Sequence, residues 1–216
     1  MNTDSHLSVK RPVAAGARDL PAPRQERSRA TADRFVEAAI ALLGAKTWAE
    51  LSVAELARAA GRSVGVFYQR FASKDDFLAV LLTAYFDRSL ALHEAVAIEG
   101  GAEAVYRRSL RAGFDRLMAH RNLWHAALER SAADPGFWQS YAPVRLAIGG
   151  IIAGKIEAAL GRALAPQEAR NLALAGQVFN SVINNQIINA PGPLKLEDAD
   201  FYPELETIAL GIAKLP

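Results

Sequence analysis

Between Gly61 and Lys74 the chain gathers side chains suited to gripping a polyanion. Arg62, Arg70 and Lys74 supply positive charge. Ser63 stands where a helix cap would leave backbone N–H groups pointing outward, and such a helix start binds phosphate. Gly65 has no side chain, so the backbone there can approach a partner closely. The Tyr68 hydroxyl suits a phosphate oxygen, and the Gln69 amide suits an adenine edge. Ser52, just ahead, and Val66 complete the candidate contact set, Ser52, Arg62, Ser63, Gly65, Val66, Tyr68, Gln69 and Lys74. Phe67 and Phe71 are expected to point inward and hold this stretch in place.

Other chemistries find little purchase. There is no cysteine, so disulfides and thiolate metal sites are excluded. His120 and His125 are five residues apart, the wrong spacing for two ligands on one helix face. No glycine-rich phosphate loop and no nucleophile elbow occurs, and the acids are scattered. Neither an enzyme nor a cofactor or metal is expected.

The elements that must position the basic stretch are helices. Phe35, Ala38, Ala39, Leu42 and Leu43 recur at helical spacing and predict a helix over 28–43. Ser52 and Glu55 form a capping-box pattern opening a second helix, 53–60, which Gly61 ends. Ser63 opens a third, 64–71, and the tight turn Gly61-Arg62-Ser63 between them is the signature of a helix-turn-helix. Such a motif presents its second helix to a major groove. Ser73 opens a long fourth helix, 74–97, with Asp75 and Asp76 in its first turn, where the helix dipole favours them. Further helices are expected over 102–119, 122–132, from Asp134-Pro135 to about Leu160 with a kink at Pro143, over 166–189, and from Pro203 to Ala213. No stretch alternates with the period of a strand. The expectation is an all-α fold: a flexible basic arm (1–26), a three-helix DNA-binding domain (27–73) and a larger helical bundle (74–216).

Composition is that of a globular chain, 51% hydrophobic and 22% charged, so it has the means to bury a core. The net charge of +2 is unevenly spread: residues 1–74 hold 12 Lys/Arg against 7 Asp/Glu. A basic end favours a polyanionic partner. No apolar run reaches the roughly 20 residues that span a bilayer, and the first residues carry no signal-peptide core. A cytoplasmic setting is expected.

The segments Phe35–Ala39, Leu51–Ala57 and Ala59–Leu78 together resemble the N-terminal domain of TetR-family transcriptional regulators. Gly61, Ser63, Gly65, Tyr68, Phe71, Ser73, Lys74 and Leu78 fall in register with the family's run. Arg62 replaces a small apolar residue, and Val66 stands where Thr or Leu is common, removing a hydroxyl contact.

The resemblance implies a DNA-binding homodimer on an inverted-repeat operator, with the last two helices forming the interface. Leu172, Leu174, Val178, Phe179, Val182 and Ile183 on one helix, and Leu205, Ile208 and Ile212 on the other, are compatible with it. So is an amide-rich set, Asn180, Asn184, Asn185, Gln186 and Asn189. It also implies a small, largely apolar effector that releases the repressor, in a pocket for which Phe86, Phe114, Met118, Trp124, Trp138, Tyr141, Phe179 and Asn180 are the candidates, with Phe137, His93, His125 and Gln177 beside them. The alternative is a constitutive regulator or activator without an effector.

Overall fold

The computed structural model describes residues 22–216, with side chains from Arg29 onward. Its order is α1 (Ala22–Leu43), α2 (Val53–Ala59), α3 (Val64–Tyr68), α4 (Lys74–Glu94), α5 (Gly101–Ala119), α6 (Arg121–Ala133), α7 (Pro135–Gln139), α8 (Ala142–Leu160), α9 (Pro166–Asn189) and α10 (Phe201–Ala213). Among the described residues every regular element is a helix, and the all-α expectation holds.

The first unit is a small head. Phe35 of α1, Phe67 of α3 and Phe77 of α4 are fully buried, and Phe71 joins them. The four rings meet edge-on or tilted, with centroids from 4.6 Å (Phe71–Phe77) to 6.3 Å (Phe35–Phe77). Ring pairs of this kind add about 0.5–1.5 kcal/mol each beyond simple burial. One aromatic knot thus fixes three helices of a head too small for a broad aliphatic core.

The turn between α2 and α3 is built by hydrogen bonds. The Arg62 N–H donates to the Ala57 carbonyl (2.8 Å) and the Gly61 N–H to that of Arg58 (3.1 Å). Gly61, at φ +62°, takes the left-handed conformation that closes a helix this way. Ser52 caps α2 in a full capping box with Glu55, and Ser63 caps α3.

Several boundaries differ from expectation, among them the end of α4, at Glu94 and not 97, and the start of α10, at Phe201 and not Pro203. α1 begins at Ala22, so residues 22–26 of the expected arm are helical; Pro23 falls in the first turn, where a missing N–H costs nothing. The rest of that arm lies outside the described residues. α3 ends at Tyr68, short of Phe71, because the chain turns to bring Phe71 under Phe67. The single helix expected from Pro135 to Leu160 is two, broken at Ser140-Tyr141. Pro143 has no N–H for the Gln139 carbonyl, and its ring crowds that carbonyl, so α7 stops and Pro143 serves in the first turn of α8.

α4 passes from head to body. Phe77, Leu78 and Leu81 are buried at one end, Tyr85 and Phe86 further along. In the body α5 and α8 pack beside α4, and α9 and α10 lie against each other around Phe179, Ile183, Leu205 and Ala209. None of the described helices is long and apolar enough to cross a membrane.

Candidate nucleic-acid interface

The short helix α3 is anchored by one side chain and turned outward by the rest. Phe67 is completely buried, whereas Tyr68 next to it is 54% exposed and leans edge-on against the Phe67 ring at 5.4 Å. Ser63, Val64, Gly65 and Gln69 are exposed too. Gly65 leaves room on its outer side: a Cβ there would meet nothing nearer than Ser63 Oγ at 3.7 Å. Ser63 Oγ accepts from the Val66 N–H at 3.3 Å. Val66 itself is half-buried against the core and contributes packing. Arg62 Nη1 donates to the Gly61 carbonyl (3.0 Å), which folds that guanidinium back over the turn.

Two of the expected contact residues are bound into the head itself. Lys74 Nζ donates to the Trp48 carbonyl and lies over the Trp48 ring, 4.6 Å from its centroid. Partial burial lowers its ammonium pKa. Lys74 thus ties the 44–52 loop to the start of α4. The Ser52 hydroxyl donates to Glu55 Oε2 (2.8 Å) and accepts from the Glu55 N–H (3.2 Å). Glu55 also pairs with Lys46, and its carboxyl is held down at about 2, by the Lys46 ammonium first and then by the Ser52 backbone N–H and hydroxyl. The sequence reading missed Lys46 and Trp48. Both sit in a loop with no periodic pattern, so nothing in the spacing marks them as partners of Glu55 and Lys74.

The candidate effector residues separate into two groups. Phe86, Trp124, Trp138 and Tyr141 form one cluster: Phe86 stacks on Tyr141 at 5.3 Å, and Trp124 meets Trp138 edge-on at 5.3 Å. Phe137 joins it through Tyr141. Polar ends of this cluster are satisfied outward, Trp124 Nε1 to Asn184 Oδ1 (2.7 Å) and the Tyr141 hydroxyl to the Ala79 carbonyl (3.0 Å). Phe114 and Phe179 belong to a second cluster, around Tyr202. Met118 packs half-buried against the core. Asn180 is on the exposed side of α9, where its amide donates to the Gly176 carbonyl (2.8 Å), and Gln177 is exposed as well. His125 pairs with Glu129 at 3.3 Å.

His93 is buried beside Gly113, and burial, helped by the nearby Arg116, pushes its pKa down. Arg116 donates to Ser89 Oγ and to the Tyr85 carbonyl, both at 2.8 Å, and lies over the Tyr85 ring. A polar seam therefore runs between α4 and α5 that the apolar periodicity of those helices does not reveal.

One tie between body and head was also missed. Asn122, in the first turn of α6, donates its amide to the carbonyls of Leu43 (2.8 Å), which ends α1, and Lys46 (3.0 Å), in the loop that follows.

Residues 35–81, which span this head, match the family model described as bacterial regulatory proteins of the tetR family. Over 58 residues the chain is 45% identical to an uncharacterized HTH-type transcriptional regulator, YwcC, of Bacillus subtilis. That match covers 27% of this chain and 26% of the relative, about a quarter of its length. The fold is similar over a longer span. A candidate TetR-family transcriptional regulator from Mesorhizobium loti superposes with a TM-score of 0.67 at 16% identity, covering 87% of this chain and 95% of that one. GusR of Salmonella enterica gives 0.60 at 16% identity, covering 91% and 100%. The head carries the sequence likeness to the tetR family model, and the whole chain shares the helical architecture of these TetR-family structures.

Proposed function

We propose that this chain is a cytoplasmic, homodimeric transcriptional repressor that reads an inverted-repeat DNA operator through α3 and leaves it when a small, largely apolar effector binds. The observation that carries the reading is the outward face of α3: Ser63, Val64, Gly65, Tyr68 and Gln69 stand clear of a helix whose one buried side chain is Phe67. A helix held so firmly and exposed so fully suits a major groove. The apolar residues Leu174, Val182 and Ile188 on α9 and Ile208 on α10 are exposed on the single chain. Contact with a second copy would remove them from water. Two copies joined there would offer two α3 helices to one face of DNA, with half-sites about 34–36 Å apart or somewhat more. For the effector, the Phe86–Trp124–Trp138–Tyr141 cluster is the apolar place to enter, since the short α7 that carries Trp138 is separated from α8 by the break at Ser140-Tyr141.

Selection of bound sequences from random double-stranded DNA tests the reading. The expected product is a short inverted repeat, bound by a dimer in light scattering. No affinity for any duplex at low ionic strength would end it.

A further inference from the structure

A cavity of about 340 Å³ opens beside Asn122, and none of the residues of either aromatic cluster lines it. Its wall is made by the first turn of α6, the last turns of α9 and the loop that follows. Gln186, on α9, lines it and is only 8% exposed. The Gln186 amide nitrogen donates to the Leu194 carbonyl at 2.9 Å, which fixes which end of the amide is which. The Oε1 atom is then left buried with no donor among the described residues. An acceptor in that state is costly unless something supplies a hydrogen bond.

The donors nearby are drawn to other acceptors. Asn122 is committed to the carbonyls of Leu43 and Lys46, and Lys195 Nζ donates to the Ala190 carbonyl at 2.6 Å. Arg121 is held by Glu197 at 2.6 Å. That last pair is weak: its side chains are 52% and 63% exposed, and exposed ion pairs contribute little. A ligand carboxylate can take the place of Glu197. Ile187 and Leu196 supply an apolar wall between the cationic and the acceptor ends.

We infer that this cavity binds a small organic anion whose carboxylate pairs with Arg121 and whose hydroxyl or N–H donates to Gln186 Oε1, and that it is a second regulatory site, distinct from the aromatic cluster. The path to the DNA-contacting unit is short. Asn122, next to Arg121 and also lining the cavity, holds the Leu43 and Lys46 carbonyls. Lys46 in turn pairs with Glu55 of the α2 capping box. A ligand that shifts the start of α6 therefore moves the base of the helix-turn-helix. This regulatory step builds on the DNA-binding reading above; the binding step does not.

The test is isothermal titration of the full-length protein with malate, citrate and lactate, each against wild type, Arg121→Ala and Gln186→Leu. At least one hydroxy acid is expected to bind saturably, roughly two- to fivefold more weakly to Arg121→Ala, where an exposed charge pair is lost. Binding should fall severalfold in Gln186→Leu. No saturable binding by any of the three, or equal binding to wild type and both variants, overturns the site. Arg121 is exposed, so its variant folds, and circular dichroism checks this. Operator binding is then measured with the acid that binds. A change of about fivefold or more in wild type, absent in Arg121→Ala, supports the regulatory step. An unchanged operator affinity overturns that step and leaves the site standing, while failure to bind any duplex overturns the function proposed above instead.

Discussion

The head and the body of this chain are both helical, yet they are held in different ways. In the head, short helices of five and seven residues cannot stand alone, since isolated helices of that length are marginal in water. They persist because capping serines fix their starts, Gly61 fixes the turn, and one aromatic knot fixes their packing. In the body, the longer helices α5, α8 and α9, of 19 to 24 residues, begin without a side-chain cap bond and pack along their length. Local signals specify the head, whereas distributed packing specifies the body. Each difference can be strained by substitution, and the effects should descend in a definite order.

The largest effect is expected at the knot. Phe67→Ala removes a fully buried ring that touches Phe35, Phe71 and Phe77 at once. Loss of such a ring costs about 3–5 kcal/mol, a large share of what a small unit has. Urea unfolding followed by hydrogen exchange should show the head opening while amides of α9 and α10 stay protected. If head and body unfold together with one midpoint, the distinction drawn between them is wrong.

The same contrast explains what was legible in the sequence. The capping box Ser52–Glu55, the turn at Gly61 and the caps at Ser63 and Ser73 are local chemistry, written within four residues, and all were readable. The family run falls in this part for the same reason. Where a side chain reaches far along the chain, reading stopped. The place of Lys74 at a helix start suggests a phosphate partner, and says nothing of the bond it makes to Trp48, 26 residues away. The aromatics of the body were grouped as one pocket because periodicity marks a residue as inward without saying which neighbours it meets. They divide between clusters around Trp124 and Tyr202. Gln186 was read as part of an interface amide set, and it faces inward instead.

The next effect sharpens the joint between the two units. Asn122→Ala leaves the Leu43 and Lys46 carbonyls without their donor. Orphaned groups of this kind cost about 1–3 kcal/mol, toward the lower end here because the site is only part-buried. Faster hydrogen exchange confined to residues 44–52 and the end of α1 is the expected signature. Uniform loosening of the body would mean that Asn122 serves α6 and not the joint.

A smaller effect tests the local signals themselves. Ser52→Ala removes the α2 cap and should cost about 1 kcal/mol. It also changes the response to acid. The Glu55 carboxyl is held at about 2, below its ordinary 4.5. A depressed carboxyl contributes stability that is full above its unfolded value and fades as pH falls through the folded one. The contribution is therefore present above about pH 4.5 and lost toward about 2. Urea midpoints of the wild type should decline across that window, and Lys46→Ala should flatten the decline more than Ser52→Ala, because the ammonium is the larger cause. A decline of the same depth in all three proteins would show that acid unfolding starts elsewhere.

The smallest effect on stability is expected where the head meets nothing. Tyr68→Phe keeps the ring that leans on Phe67 and removes only an exposed hydroxyl, so the midpoint should shift by less than about 0.5 kcal/mol. DNA affinity should nonetheless fall, by roughly two- to tenfold for the loss of one neutral hydrogen bond in each subunit. The fall should be similar for every sequence, since a phosphate contact carries no base information. The slope of affinity against salt should not move, because a neutral hydroxyl displaces no counterion. Affinity lost at one base position only would transfer Tyr68 from the backbone to a base edge, and with it the register in which α3 lies along the groove.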